Sequence, residues 1–341
     1  MSSSANTASF NEEEALNGWV ISDGRRGIEN QALGLIEAAA RLRPINFTRH
    51  VLQPGHAFRA ATPLIQFALK NRPPDYGLPR ESPDIAIGCG RQSIAALLAI
   101  KRTLPSCFTV YIQDPKIDPD RFDLVVVPEH DTLSGRNIET MIGSPNRVTR
   151  DRIVKETLAF ETELNRFPMP RAALLIGGPN KRFKFTDSDH RTHLSSAKEI
   201  LDKGYTLLIT TSRRTPEWAV EEYKALAERN DRIWLHTGEG ENPYFAFLGG
   251  ADVFLITEES TNMLTEAATT GKPVFTLPLT GEAGKFQILH AALSRVSHLR
   301  PYSADLFSKD FLPYDHPPLN ETDRIAERLW AHYDRRDARL N

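Results

Sequence analysis

Cysteine is scarce in this chain of 341 residues, which has only Cys89 and Cys107. Two thiols are too few for a disulfide framework and point to a reducing compartment. Long apolar runs are missing as well. No stretch approaches the about 18 to 20 residues needed to span a bilayer, and the N-terminus lacks the apolar core of a secretion signal. The expected location is therefore cytoplasmic, with peripheral contact to the inner face of a membrane as the alternative. A bias of charge is also absent. With 42 basic and 44 acidic residues the formal net charge is −2, so nothing draws the whole chain toward nucleic acid or anionic lipid. No P-loop, clean dinucleotide fingerprint or zinc-type Cys/His spacing occurs. The expectation is no metal, no cofactor and no nucleic-acid partner.

What is present suits an ordinary globular protein, 40% hydrophobic and 25% charged, long enough for two domains. Short apolar segments alternate with longer amphipathic ones, the pattern of a parallel sheet covered by helices on both faces. Strands are expected near Trp19–Ser22, Ile45–Val51, Asp84–Gly88, Phe108–Ile112 and Leu124–Val127. A second series follows near Ala172–Ile176, Thr206–Thr210, Arg232–His236, Val253–Ile256 and Val274–Leu277. The predicted fold is α/β, two Rossmann-like doubly wound parallel-sheet domains facing a cleft. Residues 1–15, rich in Ser, Asn and Glu, read as a disordered leader. Residues 16–167 read as the first domain, with a helix from about Asp151 to Asn165 at its end. A hinge is expected at Phe167-Pro168-Met169-Pro170, then a second domain over 168–320 and a helical segment over 321–341.

Ligands of open parallel sheets bind outside the carboxyl ends of the strands. After the first strand comes Ser22-Asp23-Gly24-Arg25-Arg26-Gly27-Ile28-Glu29-Asn30-Gln31, in which two glycines permit close backbone approach. Later strand ends supply Gly88-Cys89-Gly90, Gln113-Asp114 and Glu129-His130-Asp131. Asp23 and Asp114 are the chosen candidate bases, with Gly24, Gly27, Asn30, Gln31, Glu129 and His130 on the acceptor side; each also suits a turn or cap. In the second half, Gly177-Gly178-Pro179-Asn180 offers backbone amides, and Arg213 and Arg214 offer guanidinium forks for a diphosphate. Lys285, at a helix start, either reaches a phosphate or is solvated. Asp187-Ser188-Asp189 formally matches a metal-binding acidic pair but reads better as a helix cap.

The most informative stretch runs from Val253 to Val274. An apolar strand is followed by Ser260-Thr261-Asn262 at a helix start, where unpaired N–H groups and the helix dipole favour an anion. Glu266 lies further along the same helix, and Gly271-Lys272-Pro273-Val274 opens the next strand. This pattern resembles the donor-site segment of two-domain glycosyltransferases of the GT-B type, in which the Glu binds the nucleotide ribose. Ser22 to Leu35, Ile176-Gly177-Gly178-Pro179-Asn180 and Thr257 to Ala267, taken in order, resemble the ELM (elongated mitochondria) family, over roughly Gly18 to Arg335. That family is named for a plant mitochondrial-fission protein and is widespread in bacteria. The resemblance implies a GT-B-like fold whose C-terminal helix crosses back onto the first domain, and, for plant members, a role in mitochondrial division at the organelle surface. The expected activity is metal-independent transfer from a nucleotide-diphosphate sugar, bound as substrate, to a lipid-linked or other small acceptor. The alternatives are a non-catalytic recruitment scaffold and a nucleotide-sugar epimerase of the same fold.

One local charge bias remains. Residues 41–80 carry Arg41, Arg43, Arg49, Arg59, Lys70, Arg72 and Arg80 against the single acid Asp75. Phe58, Leu64, Ile65, Phe67 and Leu69 are interleaved, so a short helix here suits either peripheral membrane contact or an ordinary core face with a solvated basic rim.

Overall fold

A computed structural model describes residues 15–53, 55, 60–303 and 316–340. The leader segment 1–14 and the residues Phe58 and Arg59 lie outside the described residues. The chain divides into two compact units, residues 1–147 with 321–341, and residues 148–320.

The first unit is built on six parallel strands, β1 (Leu16–Ser22), β2 (Ile45–Val51), β3 (Ile85–Cys89), β4 (Phe108–Ile112), β5 (Leu124–Pro128) and β6 (Ile138–Met141), in the order β2-β1-β3-β4-β5-β6. β3 and β4 are buried along their whole length, as continuous apolar runs such as Phe108-Thr109-Val110-Tyr111-Ile112 require. On one face Leu35 and Ile36 of helix Arg26–Leu42 pack on Val20, Ile87 and Val110. On the other, Leu97 and Ile100 of helix Arg91–Thr103 pack on Ile21, Tyr111 and Val125.

The C-terminal helix Glu321–Leu340 completes the first of these layers. It buries Ile325, Ala326, Leu329 and Trp330 in the same cluster as Leu35, worth about 1.5–3 kcal/mol per large apolar side chain. Trp330 Nε1 donates to the Ala39 carbonyl at 3.1 Å. Arg43 lies 4.7 Å from the centre of the Trp330 ring and forms a two-point ion pair with Asp334, both contacts 2.6 Å.

The second unit carries β7 (Arg171–Ile176), β8 (Thr206–Thr211), β9 (Ile233–His236), β10 (Val253–Thr257), β11 (Val274–Leu277) and the two-residue β12 (Arg300–Pro301). Their order is β12-β11-β10-β7-β8-β9, all parallel. The chain therefore reverses its winding direction between β7 and β10 here, and between β1 and β3 in the first unit. These are the positions where an open α/β sheet leaves a crevice.

Several features differ from the sequence reading. The expected single helix over Asp151–Asn165 is two, Arg150–Ala159 and Glu161–Leu164, separated at Phe160, whose backbone leaves the helical region. Residues 148–167, assigned above to the first domain, group with the second unit. Helix Arg150–Ala159 is held there against helix Tyr244–Gly250, with Arg152 over the Phe245 ring at 4.4 Å. β6 was not foreseen: Ile138-Glu139-Thr140-Met141 is a mostly half-exposed edge strand with no apolar run to mark it.

Candidate functional site

In the second unit, β7 leads into Gly177-Gly178 and β10 into Glu258-Glu259-Ser260, so the two segments face each other across the crossover. The Gly177 N–H donates to Thr257 Oγ1 and the Gly178 N–H to Glu259 Oε1, both at 2.8 Å. The amides expected to hold a diphosphate thus hold internal oxygens. A Cβ on Gly177 would stand 1.9 Å from Glu259 Oε1, and one on Gly178 would stand 2.2 Å from the Arg214 carbonyl oxygen. The glycines are required for this inward packing.

Glu259 is itself a group that the sequence reading passed over. Its side chain is fully buried, with Arg214 Nη2 donating to Oε1 at 3.1 Å. Oε2 is buried with no hydrogen-bond partner among the described residues. Burial raises its pKa; the Gly178 N–H, Thr257 and Arg214 offset part of the rise. Arg214 also donates to the carbonyls of Gly178 and Pro179 at 3.0 and 3.2 Å, so it braces the loop. Arg213 is exposed. Asn180 folds its Oδ1 onto the N–H groups of Arg182 and Phe183 at 2.8 and 3.0 Å, a turn role.

Ser260 begins helix Thr261–Thr269, and its side chain makes no capping bond. Leucine 264 closes the first turn onto the Ser260 carbonyl at 3.0 Å. Thr261 and Asn262 are half-buried at this helix start. Glu266, further along, is buried, and the Tyr244 hydroxyl donates to its Oε2 at 2.5 Å. Burial pushes Glu266 up to about 7 despite that hydrogen bond, and burial likewise raises the Tyr244 phenol. Lys272 donates to the carbonyls of Leu248, Gly249 and Ala251 at 3.1, 2.7 and 2.6 Å, so its place in the Gly271-Lys272-Pro273 motif is to close the end of helix Tyr244–Gly250. Lys285 is exposed at the start of helix Phe286–Ser297. Asp189 is committed to a capping box with Thr186 and accepts from the Thr280 N–H and hydroxyl at 3.1 and 2.9 Å.

In the first unit, the crossover gathers a polar cluster at the ends of β1, β3 and β4. Asp23 lies at the end of β1, where Arg25 Nε donates to its two carboxylate oxygens at 3.1 and 2.9 Å. Gly90 sits against them: a Cβ there would lie 3.7 Å from Arg25 Nη2 and 3.8 Å from Asp23 Oδ2. Gln31 is buried, accepting from Cys89 Sγ at 3.3 Å and from Gln113 Nε2 at 3.5 Å. Gln113 has φ 92°, an unusual value for a residue with a side chain, and sets the turn that carries Asp114. The Asp114 carboxylate closes back onto Lys116, with contacts of 2.8 Å to its N–H and 2.6 Å to Nζ.

Gly24, Gly27 and Glu129 are exposed, Asn30 is half-buried and His130 is buried in the short turn after β5. Glu29 was also passed over. It is buried and accepts from Ser22 Oγ at 3.1 Å and from Arg49 at 3.3 Å, so it fixes the loop to β2. The paired spacing of Ser22 and Glu29 around Gly24-Arg25-Arg26-Gly27 was the available signal. Beside this cluster a cavity of about 370 Å³ is lined by Val51, Leu52, Gln53, Lys70, Tyr76 and Gln92.

The model of the family described as Mitochondrial fission ELM1 matches residues 26–333. The Mitochondrial fission protein ELM1 of Arabidopsis thaliana is 26% identical over 276 residues, covering 73% of this chain and 64% of the plant protein. An uncharacterized protein of Rickettsia prowazekii is 24% identical over 92% of this chain and 97% of its own length. Among solved structures, the UDP-GlcNAc 2-epimerase of Neisseria meningitidis bound to UDP-GlcNAc is similar at a TM-score of 0.57 and 10% identity, covering 93% of this chain and all of that one. The two six-stranded parallel sheets are thus GT-B-like, and the chain belongs to the mitochondrial fission ELM1 family.

Proposed function

We propose that the second unit binds a nucleotide-diphosphate sugar at the start of helix Thr261–Thr269, and that the protein is a metal-independent glycosyltransferase. The observation that carries this reading is a helix start without a side-chain cap at Ser260, together with the buried carboxyl of Glu266 on the same helix. The N–H groups and the dipole of a helix start suit a phosphate. Glu266, with one oxygen held by Tyr244, offers an acceptor to a ribose hydroxyl. Arg213 or Lys285 supplies positive charge, so charge on the departing diphosphate is stabilised by amides and a cation. On the acceptor side Asp23 is the base, and Arg25 must release it before it takes a proton. The fold shared with a UDP-GlcNAc-bound epimerase supports the donor class; epimerisation would need the donor alone.

A scaffold without chemistry is the second reading. It is favoured by the internal oxygens that occupy the Gly177 and Gly178 amides and by the cations that hold Asp23 and Asp114.

Thermal unfolding with a panel of nucleoside diphosphates and their sugars tests these readings. A ligand at a hundred times its dissociation constant stabilises by about 2.7 kcal/mol. Stabilisation by one base series that Glu266→Gln abolishes is the expected result, followed by analysis of the donor for transfer, hydrolysis or epimerisation. No stabilisation at millimolar concentration would leave the scaffold.

A further inference from the structure

The short helix Pro63–Leu69 presents its apolar side to solvent. Leu64, Ile65 and Leu69 are 43%, 51% and 70% exposed. With 3.6 residues per turn, Leu64, Ile65, Ala68 and Leu69 fall within an arc of about 140°. This arrangement is firmly held from beneath. Thr62 Oγ1 caps the helix start, accepting from the Ile65 N–H at 3.4 Å. The Tyr76 hydroxyl lies 2.5 Å from the Lys70 carbonyl and 3.2 Å from that of Gln66. Gln66 is buried and Phe67 packs on the core cluster that contains Leu97. The exposed stripe is therefore the stable face of an ordered helix.

Around it stand cations. Arg91 donates to the Ala60 and Ala61 carbonyls at 3.2 and 2.6 Å, directly before the helix. Arg102 lies 6.0 Å from the Phe67 ring, and Lys70 and Arg72 follow the helix end. Asp75 pairs with Arg72 at 3.9 Å. The helix itself bears no charge. An aliphatic stripe within a ring of basic side chains is complementary to one surface in particular: acyl chains beneath anionic headgroups.

We propose that the first unit docks on an anionic lipid bilayer, with Leu64, Ile65 and Leu69 entering the interface and Lys70, Arg72, Arg91 and Arg102 meeting the headgroups. Lys70 also lines the cavity that Val51 borders, and Val51 Cγ1 lies 3.0 Å from where a Cβ on Gly24, the residue after Asp23, would stand, so a lipid headgroup acceptor would approach the polar cluster from this side. That last step rests on the glycosyltransferase reading. The docking does not, and it is tested without nucleotide.

The full chain is sedimented with vesicles of phosphatidylcholine alone and of phosphatidylcholine with phosphatidylglycerol. Binding only to the anionic vesicles, weakened by salt, is expected. Each charge removed from the rim should weaken it about fivefold, and Leu69→Asp should abolish it with unchanged thermal unfolding. Leu69→Trp should strengthen binding, a gain that misfolding does not mimic. Equal binding to both vesicle types, or anionic binding unmoved by the Leu69 variants, would overturn the proposal. So would vesicle indifference combined with a dimer that Leu69→Asp dissolves, because the stripe would then face a second copy. Vesicle binding with no response to any nucleotide would keep the docking and remove the acceptor step.

Discussion

The two winding reversals occupy equivalent places in two sheets and are furnished in opposite ways. Between β7 and β10 the crevice is filled from within: Glu259 lies fully buried on the Gly178 amide, and Arg214 closes over it. Between β1 and β3 the Asp23 side chain is 10% exposed, but its partner Arg25 reaches out to solvent, 62% exposed. A fold position that is suited to ligands is therefore no guarantee that its amides are available. In the second unit the anion site proposed above lies one step further on, at Ser260.

The sharpest way to break this contrast is to remove the glycine. Gly178→Ala drives a Cβ into the Arg214 backbone and should cost about 4 kcal/mol or prevent folding. Gly90→Ala brings a Cβ to 2.8 Å from Ile28 Cγ2, a side-chain and not a backbone atom, and adds the strain of φ 83° and ψ 154°, about 1–3 kcal/mol. Urea unfolding of the two variants, side by side, checks the ranking.

Proton linkage gives the next largest effect. Burial lifts Glu266 from an ordinary 4.5 to about 7, so between these values the folded chain holds a proton that the unfolded chain releases. Stability from this group is therefore lost as pH rises through that window, by about 3 kcal/mol in total. Glu266→Gln should flatten the slope of unfolding free energy between pH 5 and pH 8. Glu259, raised by the same cause, would leave a residual slope of the same sign.

Smaller still is the difference between the two arginines. Arg214→Met strips a fully buried carboxyl of its cation and should cost about 2 kcal/mol. Arg25→Met leaves the Asp23 carboxylate, 10% exposed, still accepting from the backbone N–H of residue 25 at 3.2 Å, and should cost less than the Arg214 change, about 1 kcal/mol. Equal losses, read from denaturant midpoints, would contradict the contrast between the two crevices.

Much of the fold was legible because the central strands are uninterrupted apolar runs. Phe108–Ile112 and Val274–Leu277 stand where the sequence puts them. Two edge strands escaped for want of that signal: Ile138–Met141 carries Glu139 and Thr140, and Arg300–Pro301 is two residues long. At the site, the gathering of Asp23, Gln31 and Gly90 followed from the rule about strand ends. The inward turn of Glu259 did not, since a glutamate ahead of a helix reads as solvated until its partners, Gly178 and Arg214, are brought from 81 and 45 residues away. The role of Lys272 was no more legible, because the carbonyls it binds lie 21 to 24 residues earlier, at the end of helix Tyr244–Gly250.

The return of helix Glu321–Leu340 also orders events during synthesis. The first unit contains residues made at both ends of the chain, whereas the second is one continuous insertion. A nascent chain emerges at about 5–20 residues per second, and the layer around Leu35 stays open until Ile325, Leu329 and Trp330 have appeared. The second unit, begun later, has all its strands by Pro301 and can finish first. Until then the apolar side of helix Arg26–Leu42 lacks its cover, and it is there that a chaperone would find this protein.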